Sequence, residues 1–428
     1  MSGSPPLNPL WHPFSDMGGV DGGRFVLVRG EGPWVWDDTG ARFLDGTAGL
    51  WYANLGHGRA EIAEAVSAQL QALDAYSTFG DIANEPALEL ARSLSALAPT
   101  PGSRVFLGSG GGDMIDGAAK IARSFHAHNG QPSRVHLIGR DHGYHGTHGI
   151  GTSVGGIPAN AAGFGPLLQD VSRVPHDDAG ALEQEILRVG ADRVAAFFCE
   201  PVIGAGGVWP PPEGYIEQVA EICARHGVLF VADCMICGFG RLGHWLGIDR
   251  WPVRPDMITL AKGITGGTLP LGALIVAPHV AEPFWTGQAG APMLRHGQTY
   301  AGHPTCCAAA NAALRIYRDE DLIVRGRELE RPLAQALEPL ASHPVVAEVR
   351  AGTGFLAAVE IEGEVLERDP GFVHRWQLAC RERGLLVRPL GKGLAVSPPL
   401  VCTEAEVEFL GERFADGLDR AAAAMQTA

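Results

Sequence analysis

Between about residues 104 and 277, short apolar runs alternate with stretches of helical periodicity. The runs lie at 105–107, 135–138, 194–199, 228–232, 257–261 and 271–277, are rich in Val, Ile and Phe, and are bounded by Gly, Pro or Asp. A helix from Ile216 carries apolar residues at 216, 219, 220 and 223 and stops at His226-Gly227, where glycine caps it. Continuous apolar strands alternating with helices predict a mostly parallel sheet covered on both faces, an α/β fold.

The flanks read differently. Phe25-Val26-Leu27-Val28 and Trp34-Val35-Trp36 are short strands leading to a turn at Asp38-Thr39-Gly40. Ile62, Val66, Leu70 and Leu73, then Leu88, Ala91, Leu94 and Leu97, recur at helical spacing. After about 305 an alanine-rich helix (306–317) precedes strands near 346–350 and 355–360, a helix near 372–383, and strands at 385–388 and 394–397. The last helix opens on the capping box Thr403-Glu404-Ala405-Glu406. The expected organisation is a large domain at 57–304, with 1–56 and 305–428 forming one small α+β domain.

Composition narrows the function. Lys and Arg number 33 against 48 Asp and Glu, a net charge of −15, which argues against a nucleic-acid or anionic-membrane partner, since either needs a basic face. Any anionic substrate needs a few local cations. Eight cysteines in 428 residues form no regular disulfide framework. Cys234-Met235-Ile236-Cys237 has CxxC spacing but no second pair, and reads as buried thiols. The amino terminus carries no signal-type segment. No apolar run reaches the roughly 18 residues needed to span a bilayer. A soluble, cytoplasmic protein is expected.

Three strand runs end on charged residues: 194–199 runs into Glu200, 228–232 into Asp233, and 257–261 into Lys262. Ligands of open α/β sheets bind beyond the carboxyl ends of the strands, so these three converge on one crevice. A structural Lys262–Asp233 ion pair is the plain alternative. A lysine approached through Thr259-Leu260-Ala261 suits a Schiff-base nucleophile, because desolvation frees its amine. A buried aspartate can hold a pyridinium nitrogen protonated. Together they are a protein's part in pyridoxal phosphate chemistry. Gly108-Ser109-Gly110-Gly111-Gly112 follows a strand and opens a helix, a cradle for the phosphate, although Asp113 and Asp116 would repel it.

Other motifs compete less well. The glycine loop lacks the third glycine of the dinucleotide fingerprint and an acid about twenty residues on, which removes the dehydrogenase reading. Gly151-Thr152-Ser153-Val154-Gly155 matches the serine nucleophile elbow but lacks its flanking strand and helix, and reads as a loop. His142, His145 and His148 are spaced by three without a Cys or Glu ligand nearby, so no metal is expected.

The chain resembles the class III (ω-type) pyridoxal-phosphate aminotransferases of fold type I, over nearly its full length from Trp34-Val35-Trp36-Asp37 to Ser397-Pro398-Pro399-Leu400. The motifs that carry the likeness are Gly49-Leu50-Trp51-Tyr52, Tyr144-His145-Gly146, Glu200-Pro201-Val202-Ile203-Gly204-Ala205-Gly206-Gly207, Asp233 with Gly238-Phe239-Gly240-Arg241, Ala261-Lys262-Gly263, and Thr299-Tyr300-Ala301-Gly302-His303-Pro304. The resemblance implies a large domain on a mostly parallel, seven-stranded sheet, and pyridoxal 5'-phosphate as cofactor. It makes Lys262 the lysine that bonds the cofactor aldehyde and Asp233 the partner of the ring nitrogen. It also implies that Gly111 and Gly112 bind the phosphate and Tyr144 stacks on the ring. His145, Met235 and Glu200 stand beside the cofactor, where Glu200 can pair with a mobile arginine. Arg388 matches that arginine, which grips a substrate carboxylate; Trp51, Tyr52 and Phe79 line the substrate pocket. Thr299 reaches the phosphate of a neighbouring subunit, which implies a homodimer, or a tetramer built from it.

Three departures cluster at the cofactor. Gly112 stands where the family loop usually has serine, which removes a phosphate-binding hydroxyl, and Cys234-Met235 replaces a usual Glu-Val. The expected reaction moves an amino group from an ω-amino acid or primary amine to an oxo acid such as pyruvate. A racemase, decarboxylase or cyclase on the same fold, or a family member that only binds a partner, are the alternatives.

Overall fold

The computed structural model describes residues 9–21, 25–287 and 292–426. Its centre is a seven-stranded sheet, ordered edge to edge as Arg104–Gly108, Gly272–Val276, Met257–Leu260, Leu229–Asp233, Val194–Cys199, His136–Arg140 and Val171–Val174. Gly272–Val276 pairs antiparallel with both neighbours, and the other contacts are parallel. Val194–Cys199 and Leu229–Asp233 are buried at every position, which is why they read as continuous apolar runs. Helices cover the sheet. Tyr215–His226 ends on Gly227 at φ 63°, a left-handed conformation that favours glycine.

Two local expectations differ from what is found. Val171–Val174 is an edge strand that the apolar pattern does not reveal, because Ser172 and Arg173 interrupt it. Residues Gly149–Val154 form a short helix rather than a loop. Glycine normally disfavours helix. Here Ser153 Oγ donates to Gly149 O at 2.6 Å, and Gly151 sits so tightly on His145 O that no Cβ would fit.

The chain ends meet. Leu27–Glu31, Trp34–Asp37 and Arg42–Asp45 form a sheet completed by Leu385–Leu386, which pairs in parallel with Leu44 and Asp45. A second four-stranded sheet comprises Val346–Arg350, Ala357–Ile361, Gly393–Val396 and Arg388–Leu390. The final helix, Glu404–Gln426, is capped as its sequence predicts: Thr403 N–H donates to Glu406 Oε2 at 2.8 Å, and Glu406 N–H to Thr403 Oγ1 at 3.3 Å.

Arg241 ties these parts together. It is completely buried, and donates to Phe355 O and Pro398 O, each at 2.7 Å, and to Asn54 Oδ1 at 2.9 Å. Burial lowers its guanidinium to about 10. Arg241→Ala strands three buried acceptors, so we expect a loss of about 3–5 kcal/mol. It should show as a lowered denaturant midpoint with little change in slope.

Candidate active site

Five strands deliver their carboxyl ends to one edge of the sheet, as expected of a ligand crevice in an open α/β sheet. Beyond Arg104–Gly108 comes the glycine loop 109–112, and beyond His136–Arg140 the segment 141–148. Glu200 follows Val194–Cys199, Asp233 closes its own strand, and Lys262 follows Met257–Leu260. Together they line a cleft of about 330 Å³, in which Ser109, Gly110, Gly111, Gly112, Tyr144, His145, Glu200, Asp233, Met235 and Lys262 all take part.

Asp233 is buried and held by three donors. Its Oδ1 accepts from Thr259 Oγ1 and Met235 N–H, each at 3.2 Å, and its Oδ2 from His145 Nδ1 at 2.7 Å. A carboxylate offers about four acceptor positions, so one remains for a donor in the cleft. His145 is itself buried, edge-on to Phe198. The close partner of Asp233 is His145, and no ion pair joins it to Lys262, so the plain structural reading of that pair fails.

Lys262 opens the one-turn helix Lys262–Thr265 with φ at 50°. A non-glycine residue in this region carries roughly 1–2 kcal/mol of strain, sustained here by packing. Tyr317 OH donates to Gly263 O at 2.8 Å, just beyond the lysine. Burial lowers the Lys262 amine below the usual lysine range, against the opposing pull of Asp233 and Glu200.

Glu200 is buried and accepts from the amides of Tyr144 at 2.8 Å and Gly204 at 2.9 Å, while Arg140 donates to its backbone carbonyl. Burial raises its carboxyl, with His145 opposing and Asp233 adding to the rise. Glu200 therefore serves as a brace between two loops, and no ion pair joins it to Arg388 among the described residues. Gly206, later in the same motif, packs where a Cβ would collide with His142 O.

The substrate-side residues lie elsewhere. Trp51 is buried at φ 66° in an apolar cluster that also holds Val202, Ile236 and Leu356. Tyr52 packs its ring over Gly49 and Gly267, leaving either glycine no room for a side chain. Burial raises the Tyr52 phenol, and Asp45 adds to this. Phe79 and Thr299 are exposed. Arg388 is half-buried, its Nε lacks a partner, and it stands close enough to Tyr144 and Lys262 for their charges to interact. Thr259 reads in sequence only as part of the approach to Lys262, and its bond to Asp233 has no local signal, because a threonine inside a strand looks like an ordinary β-former. The histidines of the 142–148 segment diverge: His142 stacks on Trp209, His145 binds Asp233 and His148 stands by Asp113. No group of metal-binding side chains occurs among the described residues. Cys234 and Cys237 are buried free thiols, as expected. No described helix is long and apolar enough to cross a membrane.

The cleft matches pyridoxal phosphate group by group. Amides at the start of the 18-residue helix Gly111–His128 have no intrahelical acceptor and offer donors to a phosphate. Asp233 keeps one acceptor position, which would suit a ring N–H, and the Lys262 amine on the same cleft would suit an aldehyde. Met235 Sδ would lie 3.0 Å from a Cβ on Gly111, so that glycine lets the loop and Met235 close on the same space.

Comparison with known proteins agrees. The family model described as "Aminotransferase class-III" matches residues 19–418. The putrescine–pyruvate aminotransferase of Pseudomonas aeruginosa is 35% identical, over 96% of this chain and 94% of its own. The omega-aminotransferase of Caulobacter vibrioides is 34% identical over 96% and 97%. An amine transaminase from an uncultivated Pseudomonas species, solved with pyridoxal phosphate bound, superposes with a TM-score of 0.92 at 36% identity, over 97% of this chain and 99% of that one. An (S)-enantioselective omega-transaminase from Thermomicrobium roseum gives 0.92 at 37%, over 96% of each. A likeness that runs the whole length of both chains, in sequence and in fold, makes this chain a member of the class III aminotransferases, enzymes that work with pyridoxal phosphate.

Proposed function

We propose that the chain transfers an amino group from an ω-amino acid or primary amine to an oxo acid such as pyruvate, in two half-reactions at one site. The observation that carries this reading is the convergence of Lys262, Asp233 and the glycine loop on one cleft, with a half-buried arginine beside it. Bound pyridoxal phosphate supplies an electron sink and carries the amino group from one half-reaction to the next. The loop at Gly111 and Gly112 would hold its phosphate, Tyr144 its ring face, and Asp233 the proton on its ring nitrogen. Lys262 Nζ takes the proton from the carbon that bears the donor's amino group, which requires the neutral amine that burial favours. His145 fixes the Asp233 carboxylate from behind. Thr299, exposed on the single chain, reaches the partner subunit's site in a homodimer, and the small domain takes in both chain ends.

A panel of amines added without acceptor tests the reaction. The yellow absorbance of the holoenzyme should bleach with some donors, and each should release one equivalent of carbonyl product. Release of carbon dioxide, or an inverted amino acid, with no carbonyl product would transfer the reading to a decarboxylase or racemase.

Arg388 divides the substrates. A charge-assisted hydrogen bond to a carboxylate contributes about 1.5–3 kcal/mol. Arg388→Ala should therefore raise KM for ω-amino acids or oxo acids about 10–100-fold. Primary amines without a carboxylate should keep their half-reaction rates. Equal losses for both classes would assign Arg388 a purely structural role.

A further inference from the structure

Gly112 lacks the hydroxyl that the family loop usually carries, yet that position is not bare. The His148 imidazole lies over it: a Cβ on Gly112 would stand 3.1 Å from both Cε1 and Nδ1 of the ring. His148 lines the same cleft as Gly110, Gly111 and Gly112. Its backbone is fixed, its carbonyl accepting from Thr152 N–H at 2.8 Å. The side chain is 51% exposed, and its Nδ1 stands 3.7 Å from Asp113 Oδ1. The other carboxylate oxygen of Asp113 accepts from Ser109 N–H at 3.0 Å. Among the described residues, the second ring nitrogen of His148 has no hydrogen-bond partner.

These contacts also account for Asp113, which alone would oppose an anion in the loop. Set between the Ser109 amide and His148, its charge braces two donors instead. An aspartate near one ring nitrogen holds the N–H on that nitrogen, in the way carboxylates orient imidazoles, so the other nitrogen donates as well only in the imidazolium form.

We propose that His148 anchors the cofactor's phosphate in this chain, an imidazolium donor taking the place of the missing hydroxyl, with Gly112 leaving the ring its space. The assignment rests on the reading of the glycine loop as the phosphate site. The departure at Gly112 then becomes an exchange: a short donor is lost from the helix start, and a longer one reaches in from the facing segment. Thr147, which also lines the cleft, is the neighbouring hydroxyl that must be distinguished from it.

The test is equilibrium dialysis of the holoenzyme against graded pyridoxal phosphate, and separately against pyridoxal, which has no phosphate. His148→Ala should weaken pyridoxal phosphate about tenfold and leave pyridoxal unchanged. Gly112→Ser alone should also weaken pyridoxal phosphate, because its Cβ crowds the imidazole. The double variant should recover most of the His148→Ala loss, since the hydroxyl returns to a vacated space. Three results would overturn the assignment: pyridoxal phosphate affinity within twofold of wild type in His148→Ala, equal losses for both ligands, or a loss confined to Thr147→Ala. If the first or third occurs while the wild-type enzyme binds pyridoxal phosphate far better than pyridoxal, the glycine-loop reading survives without His148. A wild-type enzyme that binds both ligands alike defeats both.

Discussion

Lys262→Ala abolishes transamination: we expect kcat to fall by about 10⁴-fold or more, with the protein still folded. Two functions leave with the side chain, the amine that engages the cofactor and the base that moves the substrate proton, and each contributes orders of magnitude. Alanine at φ 50° keeps the backbone strain, so the variant gains no stability from the change. Lys262→Gly relieves it and should be the more stable of the two by about 1 kcal/mol. The wild-type pH profile follows from the same residue. Burial lowers the amine, so the fraction of neutral base rises with pH and saturates before the ordinary lysine range. The half-reaction should therefore lose rate as pH falls through that lowered value. Stopped-flow measurement of the donor half-reaction checks both claims; turnover that survives in Lys262→Ala would remove this lysine from the chemistry.

Asp233→Asn has the second largest expected effect, a fall in kcat of about 10³-fold, equivalent to about 4 kcal/mol of a buried charge interaction. The substitution preserves size but not chemistry. Met235 N–H, Thr259 Oγ1 and His145 Nδ1 all point donors at oxygens of this side chain. Asparagine must turn an NH₂ toward one of them, leaving buried donors facing each other at a cost of about 1–3 kcal/mol. The charge that would hold a ring nitrogen protonated is lost as well. Single-turnover rates at saturating cofactor separate the electronic effect from weaker cofactor binding, and thermal denaturation of the variant reports the packing conflict. A near-wild-type rate would show that Asp233 only supports the fold.

The cofactor side of the site was legible because its strands are buried on both faces. Burial of that kind writes continuous apolar runs into the sequence, and a charged residue at the end of each run stands out. Glu200, Asp233 and Lys262 were visible for this reason before any fold was known. The supporting groups were not. Thr259 is one more β-former inside a strand, and His148 reads as one histidine in a glycine-rich stretch, since the contact with Gly112 joins segments far apart in the chain. Edge strand Val171–Val174 is too short and too polar to show a period. Trp51, Tyr52, Phe79, Arg388 and Thr299 carry no local signal of function, and entered through the family resemblance alone. None of the five lines the cleft of the single chain, and three of them, Tyr52, Phe79 and Thr299, are exposed.

The parallel pairing of Arg42–Asp45 with Leu385–Leu386 fixes an order of events during synthesis. The three amino-terminal strands are made early, but the Arg42–Asp45 edge has no partner until Leu385–Leu386 has left the ribosome. A strand edge waiting that long is open to false partners, and closing so large a loop is slow. In the central sheet, by contrast, the neighbouring strands Val194–Cys199, Leu229–Asp233, Met257–Leu260 and Gly272–Val276 follow one another along the chain, and only the edge strand Arg104–Gly108 must wait for a distant partner. Refolding from denaturant should accordingly show the interior of the large sheet protected from hydrogen exchange well before the strands at Arg42–Asp45 are.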